Sequence, residues 1–297
     1  MHNFVMFFDE KEGTTALVSL MSRFPELSVV QLENNGGLEP FDAHACGPMS
    51  LHDLENCLDL VFASGGADMT ELNRIYSKTS ERRVGAIGTG QSVGFKMRYR
   101  SPWPDRRRLA SMGGLRRRLT KTAIAYQQFA FSRMMRRVLK RHEVVVLLAV
   151  RQDVLRWALS KYHGDGTGNP GHLQFKLANG TIRHEDIGKI RVDCNELAGI
   201  INHCRKVHAS KRRIQRQLER AGIPVHVVRY ESFLSDQIAT LEAIFGALEL
   251  HVSNARIAEI AAQKTKFVKV HSDDISDFVE NHEEVTSRFG DQFVEWA

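Results

Sequence analysis

Glu143-Val144-Val145-Val146-Leu147-Leu148-Ala149-Val150-Arg151 is the stretch on which the fold turns. Six of the eight residues from Glu143 to Val150 are Val or Leu, with no polar residue alternating among them. Such a run suits a strand covered on both faces, as in the middle of a parallel sheet. Phe4-Val5-Met6-Phe7-Phe8 repeats the pattern near the start of the chain,. Ser28 to Leu32, Val93 to Tyr99 and Val225 to Tyr230 read as three further strands. Helical spacing of apolar residues fills the intervals, at 16–21, 51–62, 69–76, 123–141, 153–162, 195–221 and 237–248, and a charged helix is expected over 273–288,. Gly222 suits the position just past a helix end, and Pro224 stops any continuation. Strands alternating with helices predict an α/β fold: a single domain over 1–297 with a mostly parallel sheet of about five strands, flanked by helices.

The composition agrees. The apolar share of 42% and charged share of 26% are those of a globular chain, which excludes a disordered, collagen-like or disulfide-stapled protein,. No apolar run approaches the roughly 18 residues of a membrane span. The stretch Phe4–Phe8 runs straight into Asp9, Glu10, Lys11 and Glu12, unlike a secretory signal,. Cys46, Cys57, Cys194 and Cys204 form no C-x-x-C pair, so reduced thiols, a cytoplasmic location and no metal site are expected,. The formal net charge of +6 is uneven. Between Lys96 and Arg141 stand fifteen Lys or Arg residues against one acid, Asp105, so the rest of the chain is net acidic. This excess reads either as a solvated helical face or as an attractor for an anionic ligand. Zinc-finger spacing, RNP-like aromatic strands and helix-turn-helix signals are absent from the sequence, so no nucleic-acid partner is expected,.

Ligands of open parallel sheets bind beyond the carboxyl ends of the strands. The first such end carries Lys11-Glu12-Gly13-Thr14-Thr15. Gly13 permits a sharp turn and close backbone approach, Thr14 and Thr15 open a helix whose N–H groups favour a phosphate, and Lys11 adds a positive charge. A plain strand-to-helix turn would read much the same. The full P-loop pattern is missing, because no Gly-Lys pair occurs here, and this disfavours an ATP or GTP γ-phosphate site,. A second motif begins where the central strand ends, with Arg151 followed nine residues later by Ser160. Arg offers a charged fork for phosphate oxygens, although a salt-bridged Arg and a surface Ser would look alike. Together the two motifs suit a nucleotide with phosphates at both ends of its ribose.

On these residues the chain resembles the sulfotransferases that use 3′-phosphoadenosine-5′-phosphosulfate, especially bacterial carbohydrate sulfotransferases. Their [KR]-x-G-[ST]-[ST] loop corresponds to Lys11–Thr15, and their strand-end Arg and following Ser to Arg151 and Ser160. Gly94-Phe95-Lys96-Met97-Arg98-Tyr99, Val228-Arg229-Tyr230-Glu231-Ser232-Phe233 and Val279-Glu280-Asn281-His282-Glu283-Glu284 are similar too, so the likeness spans most of the chain. Glu12, an acid within an anion-binding loop, departs from the pattern.

The resemblance implies a P-loop-like sulfotransferase fold, with acceptor-side insertions near 36–79 and 100–122. It implies in-line transfer of a sulfuryl group from that donor to a hydroxyl of a carbohydrate, glycolipid or similar acceptor, without a metal. Lys11 would stabilise the leaving phosphate, and Glu12, Gly13, Thr14, Thr15, Arg151 and Ser160 would complete the donor site. Glu39 is the first candidate for the general base and Glu33 the second, with His44 and His52 behind them,. Lys96 could reach an anionic acceptor, with His44 on the same side. The loop His163–His172 could cover the acceptor, and Lys266, Lys269 and His271 fall where the family has a cofactor loop. The competing readings are a nucleotide-dependent kinase and a non-catalytic polyanion binder built on the basic segment.

Overall fold

The computed structural model describes residues 2–33, 38–64, 69–87, 90, 92–100, 114–166, 177, 180, 183, 188–263, 274–290 and 292–296. One six-stranded sheet organises them. Its strands are β1 (Phe4–Phe7), β2 (Leu27–Leu32), β3 (Val84–Ile87), β4 (Ser92–Met97), β5 (Val145–Val150) and β6 (Val225–Arg229), in the spatial order β3-β2-β4-β1-β5-β6. All neighbouring pairs run parallel except β2 with the edge strand β3. The helices are α1 (Thr14–Met21), α2 (Ala43–Cys46), α3 (Leu51–Ser64), α4 (Thr70–Tyr76), α5 (Gly114–Arg141), α6 (Val154–Gly166), α7 (Cys194–Arg220), α8 (Tyr230–Ser235), α9 (Gln237–Ala247), α10 (Asn254–Ala261) and α11 (His282–Phe289). No described helix is long and apolar enough to cross a membrane.

The two-sided burial inferred from Val144–Val150 is realised. Val5, Phe7, Phe95, Val146 and Leu148 face one apolar layer with α3, α4 and α5. Phe4, Met6, Val145 and Leu147 face the other, with α1, α9 and α10. A third apolar cluster joins α6, α7 and α11. Alternate side chains of one strand thus enter opposite layers, which is why no polar alternation was visible.

The structure differs from the sequence reading in several places: α2, α8 and residues 114–122 of α5 were not expected as helix. The sheet has six strands rather than about five, because Val84-Gly85-Ala86-Ile87 carries two small residues of weak strand preference and sits at an edge,. The helix expected over 273–288 is instead a short 3-10 turn at Ile275–Asp277 and then α11. Asn281 interrupts it by exchanging two side-chain hydrogen bonds with the main chain of Val192. Helix α10, capped by the Ser253 side chain, was not foreseen. Lastly, α6 continues through Gly166, so the first part of the expected loop His163–His172 is helix; residues 167–172 lie outside the described residues.

Gly94 of β4 stands opposite Phe4 of β1. A Cβ there would lie 2.4 Å from the Phe4 ring. Gly94→Ala must therefore displace Phe4 or part the two strands, and is expected to cost about 1–3 kcal/mol as an overpacking change. Urea denaturation measures this; unchanged stability would show that Phe4 moves aside freely.

Candidate functional site

The connection from β1 leads through α1 to β2 on one side, and that from β5 leads to β6 on the other. The carboxyl ends of the adjacent strands β1 and β5 therefore diverge, leaving the crevice where open α/β sheets bind ligands. Lys11–Thr15 and Arg151 flank that crevice and touch: the Arg151 Nη1 donates to the Lys11 carbonyl at 3.0 Å. Lys11 has φ 64° and Gly13 φ 70°, so the turn passes twice through the left-handed region. At Gly13 the glycine is required, because a Cβ would lie 2.3 Å from the Tyr230 ring. The same ring lies 4.6 Å below the Arg151 guanidinium, so the start of α8 supports both motifs. Helix α1 opens at Thr14 with no side-chain cap and no acid in its first turn, so its N-terminal partial positive charge is not offset by its own residues. The Arg151 Nε is buried and has no acceptor among the described residues.

The Glu12 carboxylate is engaged by α7. It is buried against Lys211 of that helix, with Nζ to Oε distances of 2.5 and 2.6 Å, and accepts the Asp9 amide at 2.6 Å. Lys211 also donates to the Ala149 carbonyl of β5 at 2.6 Å. Burial pushes the Glu12 carboxyl up to about 7, against the opposing pull of Lys211 and these hydrogen bonds. One turn back on α7, His208 Nε2 donates to the Arg151 carbonyl at 2.8 Å. Burial lowers His208 to about 4, so it is a neutral donor. The other acids of the β1 loop are paired as well: Asp9 with Lys161 at 3.3 Å and Glu10 with Arg98 at 2.7 Å. Desolvation opposes ionisation of Asp9, yet Lys161, Lys211 and the Glu10 amide hold its carboxyl below the usual range. The Trp157 indole N–H adds a bond to the Glu10 carbonyl at 2.7 Å.

A second constellation meets the crevice at Thr15. Lys96 of β4, almost fully buried, donates to Thr15 Oγ1 at 2.6 Å and pairs with Glu39 Oε1 at 2.9 Å. Burial lowers the Lys96 pKa, and the Glu39 charge opposes that. Four sequence candidates, Thr15, Lys96, Glu39 and, through the loop, Lys11, thus share one neighbourhood. Glu33 does not join them. It ends β2, half-exposed, with Arg83 at 3.7 Å on the far side of β4. His52 is exposed and bonds Asn56. His44 is on α2, but its side chain lies outside the described residues, as do Lys266, Lys269 and His271. Ser160 is half-buried on α6 and makes no hydrogen bond to Arg151. The basic segment is partly consumed internally: Arg137 and Arg141 pair with Glu55 and Asp59 of α3, and Arg98 with Asp42 and Glu10. Among the described residues, no group of three or more His, Cys, Asp or Glu could hold a metal ion.

Sequence reasoning missed Lys211, His208, Tyr230 and Trp157. For two of them a signal was present. Leu197, Ile201, Cys204, His208, Lys211 and Leu218 form the buried face of α7. A lysine and a histidine on an apolar stripe at helical spacing call for buried partners. No family model matches the chain, and neither does any curated protein or solved structure.

Glu12 and His208 act oppositely on stability as pH changes. A carboxyl raised in the fold adds most below its unfolded value of 4.5 and loses that as pH rises through about 7,. A histidine lowered in the fold adds stability above its ordinary value of 6.5 and loses it as pH falls through about 4,. Comparing the wild type with Glu12→Gln/Lys211→Met, both of which keep His208, removes the Glu12 titration together with the smaller pull of Lys211 on Asp9 and His208. In urea titrations the wild type's stability relative to that variant is expected to fall between pH ~4.5 and ~7; a flat or rising difference contradicts the assignment. Glu12→Gln alone leaves a buried lysine unpaired and is expected to cost about 3–5 kcal/mol.

Proposed function

We propose that the chain is a sulfotransferase that takes its sulfuryl group from 3′-phosphoadenosine-5′-phosphosulfate and delivers it to a hydroxyl of a carbohydrate, glycolipid or similar acceptor. The observation that carries this reading is the contact between Arg151 and the Lys11 carbonyl. It joins the two motifs at the crevice between the ends of β1 and β5, where the connections to β2 and β6 part. Their chemistry fits a donor charged at both ends. The uncapped start of α1 and Lys11 suit the 5′-phosphosulfate, and the Arg151 Nε–H, buried and without an acceptor, suits an oxygen of the 3′-phosphate,. Glu12, the departure from the family pattern, places no charge against that anion, since its side chain faces Lys211.

The donor supplies an activated sulfur whose bond to a phosphate oxygen breaks as the bond to the acceptor oxygen forms. Lys11 stabilises the negative charge left on that phosphate oxygen, an interaction stronger in the transition state than before it. Glu39 accepts the proton of the acceptor hydroxyl. Lys96 holds Glu39 and Thr15 in register across the crevice.

Three measurements test this reading. Isothermal titration is expected to show binding of 3′,5′-adenosine bisphosphate, no competition by ATP with magnesium, and weakening of about tenfold or more in Arg151→Ala, the loss of a charged hydrogen bond. In a transfer assay with labelled donor and a panel of hydroxylated acceptors, Lys11→Ala is expected to lower turnover by about 100-fold or more. Glu39→Gln is expected to lower it by a similar factor and Glu33→Gln to leave it unchanged. Preference for ATP, or full turnover without Lys11, would overturn the reading.

A further inference from the structure

We infer that residues 292–296 set the position of Arg151, with Trp296 acting through His208 as a positioning residue. The inference rests on the proposed use of Arg151 as an anion ligand. The three residues after Arg151 are paired along their length with this segment. The Val294 amide donates to the Gln152 carbonyl at 3.0 Å, and the Val154 amide donates to the Gln292 carbonyl at 3.0 Å. The Gln152 side chain donates to the Val294 carbonyl at 3.3 Å, and Asp153 and Phe293 form an antiparallel bridge. The segment thus acts as a short added strand for the chain leaving β5.

Trp296 anchors the segment. It is buried, its indole N–H donates to Gln215 Oε1 at 3.0 Å, and its carbonyl accepts from Arg229 at 2.9 Å. The Arg212 guanidinium lies 5.2 Å over its ring and donates to the Glu295 carbonyl. The other side of the arrangement is His208. Its ring packs between Trp157 and Trp296, with centroid distances of 5.3 and 5.4 Å. Its Nδ1 has no hydrogen-bond partner among the described residues. Besides the bond to the Arg151 carbonyl, the two tryptophan rings are the aromatic packing of the imidazole among the described residues. Removing the Trp296 ring frees the imidazole to rotate and the Arg151 carbonyl to move. The guanidinium then loses its registration over Tyr230 and against the Lys11 carbonyl. A bond-length error of this kind at a charged ligand is costly, because hydrogen bonds weaken steeply with angle and distance.

Two readouts test the inference on the full chain. In amide hydrogen exchange, the Val154 and Val294 amides, which pair the two stretches, are expected to exchange about tenfold faster in Trp296→Ala while β1 and β4 stay protected, and Trp296→Phe, which keeps a stacking ring, to stay near the wild type. Unchanged exchange at Val154 and Val294 overturns the inference. Titration with 3′,5′-adenosine bisphosphate then asks whether the effect runs through Arg151. Trp296→Ala is expected to weaken binding about tenfold in the wild-type background and not at all in Arg151→Ala, since the two changes break one coupled unit. Equal weakening in both backgrounds marks a merely structural role and also overturns it. Should Trp296→Ala fail to fold, Gln215→Leu, which releases the indole N–H and an exposed bond to Glu219, takes its place in both measurements. If the wild type binds no bisphosphate, the sulfotransferase reading fails, and the exchange result decides the positioning of Arg151 by itself.

Discussion

The crevice depends on the ammonium of Lys211. Its three bonds go to both oxygens of Glu12 and to the Ala149 carbonyl, so one buried charge ties the β1 loop to the end of β5. The Arg151 side chain bridges the same two elements, donating to the Lys11 carbonyl. Burying the pair carries a desolvation cost that its attraction need not repay. The raised pKa of Glu12 is the sign that desolvation wins at the carboxylate. What the pair contributes is geometry. It takes the acid of the Lys11–Thr15 turn into the interior and makes α7 a brace shared by the β1 loop and the end of β5.

The same logic runs through the rest of the β1 loop. Asp9, Glu10 and Glu12 would together repel a phosphate, yet each meets a cation brought from another element: Lys161, Arg98 and Lys211. Lys11 is the cation that the loop itself supplies. The turn that carries it is held in the left-handed region at Lys11, where a non-glycine residue is strained,. Strain of that kind persists only where surroundings over-determine it, and here the Arg151 bond, the Trp157 bond and the Tyr230 ring do so.

Much of the fold was legible because its inner strands β1, β2, β4 and β5 are short, apolar and largely buried on both sides, and because helices with clear spacing separate them. The edge strand Val84–Ile87 escaped notice, since Gly85 and Ala86 give it almost no pattern and pairing with β2 alone defines it. The site was half legible. Lys11–Thr15 and Arg151 stand out because strand ends are where ligands bind, and Glu39 and Lys96 were found but not as partners. Their ion pair joins β4 to a loop 57 positions away in sequence, a contact that no local pattern encodes. The basic segment misled in the opposite direction. Its local excess of charge is real, but Glu55, Asp59, Asp42 and Glu10 come from distant elements to meet part of it.

The central claim is that one pocket holds a doubly charged adenosine compound across the ends of β1 and β5. A crystal structure with 3′,5′-adenosine bisphosphate bound tests it most directly. The account predicts the 5′-phosphate over the amides of Gly13, Thr14 and Thr15, and an oxygen of the 3′-phosphate on the Arg151 guanidinium. A ligand seated anywhere else, with Lys11 and Arg151 both out of its reach, would contradict it.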